Sequence, residues 1–252
     1  MPDTPDLRPV AQRALALVDL TSLTGEEQES DIVALCAQAS TPAGPVAAVC
    51  VYGAWVATSV RELAGTGIPV AAVANFPEGD LDAGRAVRET EAAVRDGAQE
   101  VDVVLPWRAF LAGDRAGAMD VIEATRKACP VRLKVILESG RLQEPATIAA
   151  AARDSLAAGA DFVKTSTGKL EPAATLPAAA VMLEAVRDHG SGGFKASGGI
   201  RTTEQAAEYL ELADALLGPG WASPATFRIG ASSLVNDLLE WIRSGETNPR
   251  RP

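Results

Sequence analysis

The sequence predicts a single (β/α)8 barrel, and three observations support this fold class. Eight short, mostly apolar runs alternate with eight longer segments of helical character along the 252 residues. Most of the short runs are apolar throughout, as expected of parallel strands that are covered on both faces. No linker divides the chain, and eight such units in about 250 residues fit a closed barrel better than a doubly wound open sheet. We therefore interpret residues 1–252 as one domain, with about 1–10 and 245–252 as mobile ends.

The predicted strands are short runs rich in aliphatic residues, each ended by a turn or by polar residues. In chain order they are 14–20, 46–52, 68–75, 100–105, 132–138, 162–164, 193–196 and 226–229. The segments that follow them have the apolar periodicity of amphipathic helices. In chain order these helices are predicted at 25–39, 54–64, 81–96, 107–128, 145–158, 173–188, 203–217 and 232–242. A Gly-x-Gly-x-x-Gly motif, which would favour a dinucleotide-binding domain, does not follow the first strand.

The composition argues against several classes of function. The formal net charge of -10 disfavours nucleic acids and anionic membranes as partners, because both attract basic surfaces. Residues 1–9 lack the basic segment and the apolar run of a signal peptide. The longest weakly charged apolar stretch, 172–183, is too short to span a bilayer and contains two prolines. We therefore expect a cytoplasmic protein in which any phosphate ligand is held by local features.

Cysteine and histidine are too sparse for several kinds of catalytic site. Cys36, Cys50 and Cys129 are widely spaced and form no CxxC pair, so neither a disulfide framework nor a zinc site is expected. The one histidine, His189, lies in a glycine-rich loop and is interpreted as a solvated residue. Ser-His catalysis and metal-dependent hydrolysis normally need histidines that this chain lacks. We expect neither a metal nor a cofactor.

Lysine is rare in this chain, and its positions indicate chemistry. Of 23 basic residues only five are lysine, and Lys134, Lys164, Lys169 and Lys195 lie in or just after predicted strands. Lysine can lose its proton and act as a nucleophile, whereas arginine effectively cannot. A charged residue within a strand buried on both faces should point inward, toward the open mouth of the barrel. We therefore expect Asp102, Lys134, Lys164 and Lys195 to meet there; a buried ion pair is the alternative explanation for each residue alone.

Two lysines on neighbouring strands can generate a reactive amine. A second ammonium close to Lys164, together with partial burial, lowers the pKa of that amine from about 10.4 toward neutrality. The neutral amine can attack a carbonyl, and the resulting iminium withdraws electrons from the adjacent carbon. A carbon–carbon bond can then break or form without a metal. Lys195 is the candidate second ammonium, and Asp102 is the candidate proton shuttle.

Two loops that contain glycine and serine are candidates for phosphate binding. Residues 197–200 (SGGI) follow the seventh strand, and residues 230–233 (GASS) follow the eighth and open a helix. Glycine lets the backbone approach an anion, while the free N–H groups of a helix start donate to it. In barrels of this kind, phosphate is commonly held by the loops after strands seven and eight.

The sequence resembles the deoxyribose-phosphate aldolase family of class I, Schiff-base aldolases. The segments KTSTGK at 164–169 and FKASGGIR at 194–201, in this order and separation, are highly specific for that family. Further matching segments extend over nearly all of the chain except its ends. They are VDLT at 18–21, VCVY at 49–52, NFP at 75–77, EVDVVLP at 100–106, LKVI at 133–136 and RIGASSL at 228–234.

The resemblance implies reversible cleavage of 2-deoxy-D-ribose 5-phosphate to D-glyceraldehyde 3-phosphate and acetaldehyde. It implies that Lys164 is the Schiff-base lysine, that Lys195 perturbs it and moves protons, and that Asp102 is the acid/base carboxylate. The other implied positions support this network or contact the substrate. They are Lys134 in the network, Asp19 and Thr21 near the hydroxyl-bearing end, and Gly168, Lys169, Gly198, Gly199, Ser232 and Ser233 around the phosphate.

The resemblance also implies a homodimer or a larger homo-oligomer. Some family members end in a tyrosine-containing segment that is thought to assist proton transfer; residues 246–252 contain no tyrosine, so a tail-assisted step is not expected. Two alternatives stay open, a lysine-dependent barrel aldolase with a different donor and a sugar-phosphate-binding barrel without turnover. Cys50 is interpreted as a packed thiol, with reactivity toward aldehydes as the alternative.

Overall fold

Eight parallel strands close into a barrel in the computed structural model, which describes residues 6–244. The strands are β1 (Val18–Thr21), β2 (Ala48–Val51), β3 (Val70–Ala74), β4 (Glu100–Val104), β5 (Arg132–Ile136), β6 (Phe162–Lys164), β7 (Gly193–Ser197) and β8 (Phe227–Ala231). Each strand pairs with its neighbours in chain order, and β8 pairs with β1 to close the sheet. The predicted (β/α)8 barrel is confirmed. The predictions for residues 1–5 and 245–252, including the tail without tyrosine, lie outside the described residues.

Helices cover the outside of the barrel. Within residues 6–244 they are α1 (Arg8–Leu15), α2 (Glu29–Ala39), α3 (Val56–Glu62), α4 (Ala83–Arg95), α5 (Trp107–Leu111), α6 (Arg115–Ala128), α7 (Ser139–Leu142), α8 (Pro145–Ala157), α9 (Leu176–His189), α10 (Thr203–Leu217) and α11 (Leu234–Ser244). Several begin at a polar side chain that accepts a backbone N–H bond. Asp82 does so for α4, Thr175 for α9 and Thr202 for α10. These local signals explain why most predicted helix boundaries agree with the structure to within a few residues.

The strand predicted at 14–20 is wrong in its first half, because residues 8–15 form helix α1. Ala11, Ala14 and Leu15 recur at helical spacing and are buried in the layer between barrel and helices. The first three residues of α1 fall within the stretch, about 1–10, that is predicted to be a mobile end. Strand β1 begins only at Val18.

The helix predicted at 107–128 is divided into α5 and α6. Gly113 between them has a φ of 96°, a conformation that favours glycine, and Asp114 then caps α6 by accepting a hydrogen bond from the Gly117 N–H at 2.9 Å. Helix α7 and a hairpin of Ser40–Thr41 with Gly44–Pro45 have no counterpart in the predictions. Elements of two to four residues are too short to produce a periodic signal.

Side chains alternate along each strand between two environments. Outward-facing residues such as Val163 of β6 and Val135 of β5 join a large apolar core under the helices. The inward-facing residues include the charged side chains described below and a smaller apolar group at the carboxyl ends of the strands. We call this group the mouth cluster; it consists of Leu23, Cys50, Ala71, Val73, Phe76, Val104 and Ile136.

In residues 6–244, no helix combines the length and apolar composition needed to cross a bilayer.

Candidate active site

Lys164 is the last residue of β6, and its side chain lies inside the barrel. Only 1% of its surface is exposed. It is the register partner of Lys195 on β7, so the two side chains leave neighbouring strands at the same level. The Lys164 Nζ donates to Asp102 Oδ2 of β4 at 3.0 Å. This bond attaches the amine of β6 to a carboxylate on the far side of β5.

Lys195 binds the same carboxylate. Its Nζ lies 2.8 Å from Asp102 Oδ2 and 2.5 Å from Asp19 Oδ2. Gly230 of β8 leaves room for this side chain, since a Cβ there would lie 3.0 Å from Lys195 Cε and 2.7 Å from Ser197 Oγ. The structure therefore brings together Lys164, Lys195 and Asp102, as expected from the sequence, and the two amines share one carboxylate oxygen.

Lys134 of β5 lies between two carboxylates. Its Nζ is 2.6 Å from Asp102 Oδ1 and 2.6 Å from Glu100 Oε2. It therefore holds Asp102 from the side opposite to Lys164 and Lys195. Every oxygen of Asp102 has at least one lysine partner, and the carboxylate itself is fully buried.

Two residues of this network were not among the predicted site residues. Arg228 of β8 donates from Nη1 to Asp19 Oδ1 at 2.6 Å and from Nη2 to Glu100 Oε1 at 2.8 Å. Both Glu100 and Arg228 are at most 2% exposed. The signal that could have identified them is present in the sequence, because each is a charged residue inside a predicted buried strand.

The environment of Lys164 disfavours its charged form. Burial lowers the pKa of Lys164, the Lys195 ammonium lowers it further, and Asp102 only partly opposes them. Burial alone would also lower the pKa of Lys195, but the carboxylates of Asp102 and Asp19 outweigh it and raise that pKa. The pKa of Lys134 is raised in the same way, by Asp102 and Glu100 against the effect of burial. Of the three amines, Lys164 gives up its proton most readily.

The carboxylates of the network favour the ionised form. Burial would raise the pKa of Asp102, but Lys134, Lys195 and Lys164 together hold it well below its ordinary value. The cations around Asp19 lower its pKa in the same way. Asp102 is thus an anion that contacts both the candidate nucleophile and a protonated lysine.

The predicted phosphate-binding residues line one cavity of about 300 Å³ at the carboxyl ends of the strands. The cavity is formed by the loops after β1, β6, β7 and β8. Its lining includes Thr21, Gly168, Lys169, Gly198, Gly199, Ser232 and Ser233. Asp19, by contrast, is fully buried within the ionic network. The first residues of α11 follow Ser233 directly, so the N–H groups of a helix start lie at the cavity wall.

Arg201 also lines this cavity and was not a predicted site residue. It ends the FKASGGIR segment, six residues after Lys195 and beyond the end of β7 at Ser197. Its guanidinium and the ammonium of Lys169 give the cavity two cations on a chain whose net charge is -10. A bidentate guanidinium suits a phosphate group.

Hydrogen bonds fix the loops after β6 and β7 to each other. Thr165 Oγ1 donates to the Ser197 carbonyl at 3.1 Å and accepts from the Ser197 N–H at 2.9 Å. On the other side, the N–H of Thr167 points to the buried carboxyl of Glu138, whose residue has a φ of 56°. The segment 165–167, which directly follows Lys164 and leads into the cavity wall, is therefore fixed by hydrogen bonds on both sides.

Cys50 lies in the mouth cluster and is fully buried. Burial raises the pKa of its thiol, which disfavours the reactive thiolate. The packed thiol expected from the sequence agrees with this environment. Among the described residues 6–244, no group of three or more His, Cys, Asp or Glu side chains is arranged to hold a metal ion.

Comparison with known sequences gives a consistent result. The model of the DeoC/LacD family aldolase matches residues 13–239. The deoxyribose-phosphate aldolase of Agrobacterium fabrum (strain C58 / ATCC 33970) is 48% identical over 244 residues, covering 95% of this chain and 94% of that protein.

Solved structures have the same barrel. A crystal structure assigned as a deoxyribose-phosphate aldolase, from Toxoplasma gondii ME49, has a TM-score of 0.86 at 26% identity and covers 94% of this chain and 95% of that one. The deoxyribose phosphate aldolase from Aeropyrum pernix, which is tetrameric, has a TM-score of 0.76 at 23% identity and covers 96% of this chain and 99% of that one. The second likeness is evidence for the fold alone.

Proposed function

Because this chain belongs to the DeoC/LacD family of aldolases, we propose that Lys164 carries its reaction as a Schiff base. The reaction is the reversible cleavage of 2-deoxy-D-ribose 5-phosphate to D-glyceraldehyde 3-phosphate and acetaldehyde. The observation that carries the assignment of residues is the convergence of the Lys164 and Lys195 nitrogens on one oxygen of Asp102.

The first half of the reaction forms the iminium. Neutral Lys164 attacks C1 of the open-chain sugar, and a proton moves from nitrogen to oxygen to give a carbinolamine. The Lys195 ammonium then donates a proton to the carbinolamine hydroxyl, which leaves as water. The product is a positively charged iminium between Lys164 and C1. Its formation needs a neutral nucleophile beside a protonated donor, and the opposite pKa shifts of these two lysines support that pairing.

The second half breaks the bond between C2 and C3. Asp102 accepts the proton of the C3 hydroxyl, directly or through water, and C3 becomes the aldehyde of D-glyceraldehyde 3-phosphate. The bonding electrons move to the iminium and leave an enamine. Asp102 can return its proton to Lys195, which lies 2.8 Å away and protonates C2 of the enamine. Water then hydrolyses the iminium, releasing acetaldehyde and neutral Lys164, and the proton set free in this step restores the Lys195 ammonium.

The cavity formed by the loops after β1, β6, β7 and β8 is proposed to hold the 5-phosphate. Lys169 and Arg201 supply positive charge, and the backbone at Gly198 and Gly199 together with the start of α11 supplies N–H donors. Thr21 lines the same cavity and is available to a substrate hydroxyl. A phosphate held there would keep C1 oriented toward Lys164.

We also propose that the chain acts in the cytoplasm as a homodimer or a larger homo-oligomer. Three free cysteines in the described structure are compatible with a reducing compartment. The tetrameric relative from Aeropyrum pernix supports assembly of this fold into oligomers. Light scattering of the purified chain would test the oligomer, and a monomer at micromolar concentration would contradict it.

Reductive trapping tests the proposed nucleophile. The chain is incubated with borohydride and either 2-deoxy-D-ribose 5-phosphate or acetaldehyde, then digested, and the added mass is located by mass spectrometry. We expect one adduct, on Lys164, and none in Lys164→Met. The variant Lys127→Met, which changes a lysine of helix α6 far from the barrel interior, serves as the matched control and should label normally.

The same experiment separates the alternatives. Trapping with pyruvate or dihydroxyacetone phosphate but not with acetaldehyde would indicate a lysine-dependent aldolase with another donor. Thermal stabilisation by sugar phosphates without any adduct would indicate a binding protein. An adduct on Lys134 or Lys195 would contradict the assignment of Lys164.

A further inference from the structure

Seven ionisable side chains form one continuous network inside the barrel, and each is at most 2% exposed. Three are acids and four are bases. The acids are Asp19, Glu100 and Asp102, and the bases are Lys134, Lys164, Lys195 and Arg228. Three ionised acids balance three protonated bases, so electroneutrality of this buried set leaves one base uncharged.

Arg228 cannot be the uncharged base. Its guanidinium keeps its proton in proteins, and here it is bound by two carboxylates. Nη1 is 2.6 Å from Asp19 Oδ1, Nη2 is 2.8 Å from Glu100 Oε1, and Nε donates to the Pro224 carbonyl at 2.6 Å. The side chain also lies beside the Phe162 ring. Arg228 therefore contributes a permanent positive charge to a space that excludes water.

The three lysines differ in how many carboxylates they contact. Lys134 has three partners, Asp102 and Glu100 at 2.6 Å and Asp19 at 3.6 Å. Lys195 has two, Asp19 and Asp102. Lys164 has one, Asp102, at 3.0 Å. The lysine with a single carboxylate partner is the one for which losing the proton costs least.

Among the described residues, three other titratable groups face this network, but none is both buried and ion-paired with it. Arg132 of β5 also binds Glu100, but about a third of its side chain is exposed, so water screens its charge. Glu138 faces Lys164 from the loop after β5; burial raises the pKa of its carboxyl, and its contacts are to the Thr167 N–H. The buried Cys50 thiol is uncharged in its ordinary form.

We propose that Arg228, held by Glu100 and Asp19, is a positioning residue whose permanent charge makes the buried bases outnumber the buried acids, so that Lys164 remains neutral. Arg228 does not touch the substrate in this account and acts through the network. The inference rests on the proposed function of Lys164, and it adds a second source of activation beside the Lys195 ammonium. Removing Arg228 leaves three acids opposite three lysines, and every lysine can then keep its proton.

The test compares variants of the Arg228–Glu100 pair by the pH dependence of Lys164 labelling. Acetaldehyde with cyanoborohydride is the probe, because acetaldehyde has no phosphate whose own titration would distort the profile. We call the part of the pH profile in which the labelling rate falls with falling pH the acid limb. In Arg228→Met we expect this limb to move to higher pH by at least about one unit, so that the labelling rate at a given pH on the limb falls about tenfold. In Glu100→Gln, which increases the excess of bases, the limb should move down.

The double variant Glu100→Gln/Arg228→Met distinguishes charge from structure. It has two acids opposite three lysines, so one amine is again in excess, and its acid limb should return toward the wild-type position. Arg228→Lys should also keep the wild-type limb more closely than Arg228→Met. The matched control is Arg13→Gln, which breaks the Arg13–Asp214 ion pair between α1 and α10 outside the barrel and should leave the profile unchanged.

The outcomes are distinguishable from a failure of the proposed function. If wild-type Lys164 is not labelled at all, the nucleophile is wrong. If it is labelled and a folded Arg228→Met shows an unchanged limb, the role of Arg228 is wrong. If Arg228→Met does not fold, Glu100→Gln and the double variant still test the proposal. A purely structural role of the Arg228–Glu100 pair does not predict that the acid limb moves down in Glu100→Gln and returns toward the wild-type position in the double variant. Circular dichroism of each variant establishes that it is folded.

Discussion

Lys164 occupies a position that disfavours its charged form, and this reduces the stability of the fold. An unfolded chain binds a proton at this lysine up to a pH of about 10.4, whereas the pKa of the folded residue is lowered by burial and by Lys195. Between the two pKa values the unfolded state binds more protons, so protonation there favours unfolding as the pH falls. Lys134 and Lys195, which contact at least two carboxylates each, have raised pKa values and act in the opposite direction.

Substitutions of Lys164 and of Lys195 should therefore change the free energy of unfolding in opposite directions. Lys164→Met removes the excess base and leaves three acids opposite three cations, so we expect the free energy of unfolding to rise by about 1–2 kcal/mol. Lys195→Leu leaves Asp19 and Asp102 short of a cation, and a loss of about 3–5 kcal/mol is expected. Urea unfolding at pH 7 measures both.

Both substitutions should lower turnover by orders of magnitude, because one removes the nucleophile and the other removes its proton donor. In Lys195→Leu the apparent pKa of Lys164 should also rise, since Asp102 then has one cation fewer to bind. Equal destabilisation by the two variants would contradict the account of Lys164 as the excess base.

At the scale of elements, the loops at the carboxyl ends of the strands hold one another in place. Helix α7, after β5, packs so closely on the loop after β6 that a Cβ on Gly140 would overlap the carbonyl oxygen of Pro172. That loop also carries Gly168 and Lys169, which line the phosphate cavity. The position of a four-residue helix therefore influences a wall of the substrate site.

Gly140→Ala should separate α7 from that loop. We expect the KM for 2-deoxy-D-ribose 5-phosphate to rise about tenfold or more and the free energy of unfolding to fall by about 1–3 kcal/mol. Labelling of Lys164 by acetaldehyde, which needs no phosphate site, should change much less. The matched control is Gly53→Ala, where a new Cβ meets no atom within 4 Å. An unchanged KM for 2-deoxy-D-ribose 5-phosphate in Gly140→Ala would contradict the proposed influence of α7 on the phosphate cavity.

Sequence reasoning could predict the eight barrel strands and the long helices, and could not predict helix α7 or the short hairpin. The strands with continuous apolar runs and the capped helices α4, α9 and α10 carry clear local signals. Helix α1 is hard to predict because its apolar residues join directly onto those of β1, so that a 3.6-residue period resembles the start of a strand. The division between α5 and α6 depends on Gly113 and the cap at Asp114, which are weak signals within a long helical segment.

The candidate site was predictable where one residue type was rare. Lysine is nearly absent from the surface of this chain, so the lysines within strands stand out. Glu100 and Arg228 also lie in predicted buried strands, but they belong to abundant residue types, and their ion-pair partners depend on distances across the barrel that only closure creates. Arg201 lies on a loop whose direction has no sequence signal beyond its glycines.

At the scale of the whole molecule, the network makes stability depend on pH. The pKa values of Asp19, Glu100 and Asp102 are lower in the folded chain than their ordinary values, because surrounding cations outweigh burial. Such groups stabilise the fold above the unfolded pKa of about 4, and this contribution is lost as the pH falls below it. Glu138, whose pKa is raised by burial, acts in the opposite sense but is a single group.

The free energy of unfolding should therefore fall steeply between about pH 5 and pH 2. Urea titrations at several pH values would measure the slope. Asp102→Asn should make the slope shallower, because one of the three depressed carboxylates is gone. Asp214→Asn, at the more exposed pair with Arg13, is the control and should change the slope less. A wild-type free energy that stays flat down to pH 3 would contradict these depressed values.

The seven groups of the network are divided by sequence half. All three acids come from β1 and β4, whereas the four bases come one each from β5, β6, β7 and β8. A cut between β4 and β5 would give two fragments whose interior charges have opposite sign. Neither fragment could pair its charges with a copy of itself. Co-expressed, such fragments should select each other over self-association, which makes this barrel a natural scaffold for a split enzyme whose activity reports the meeting of its two pieces.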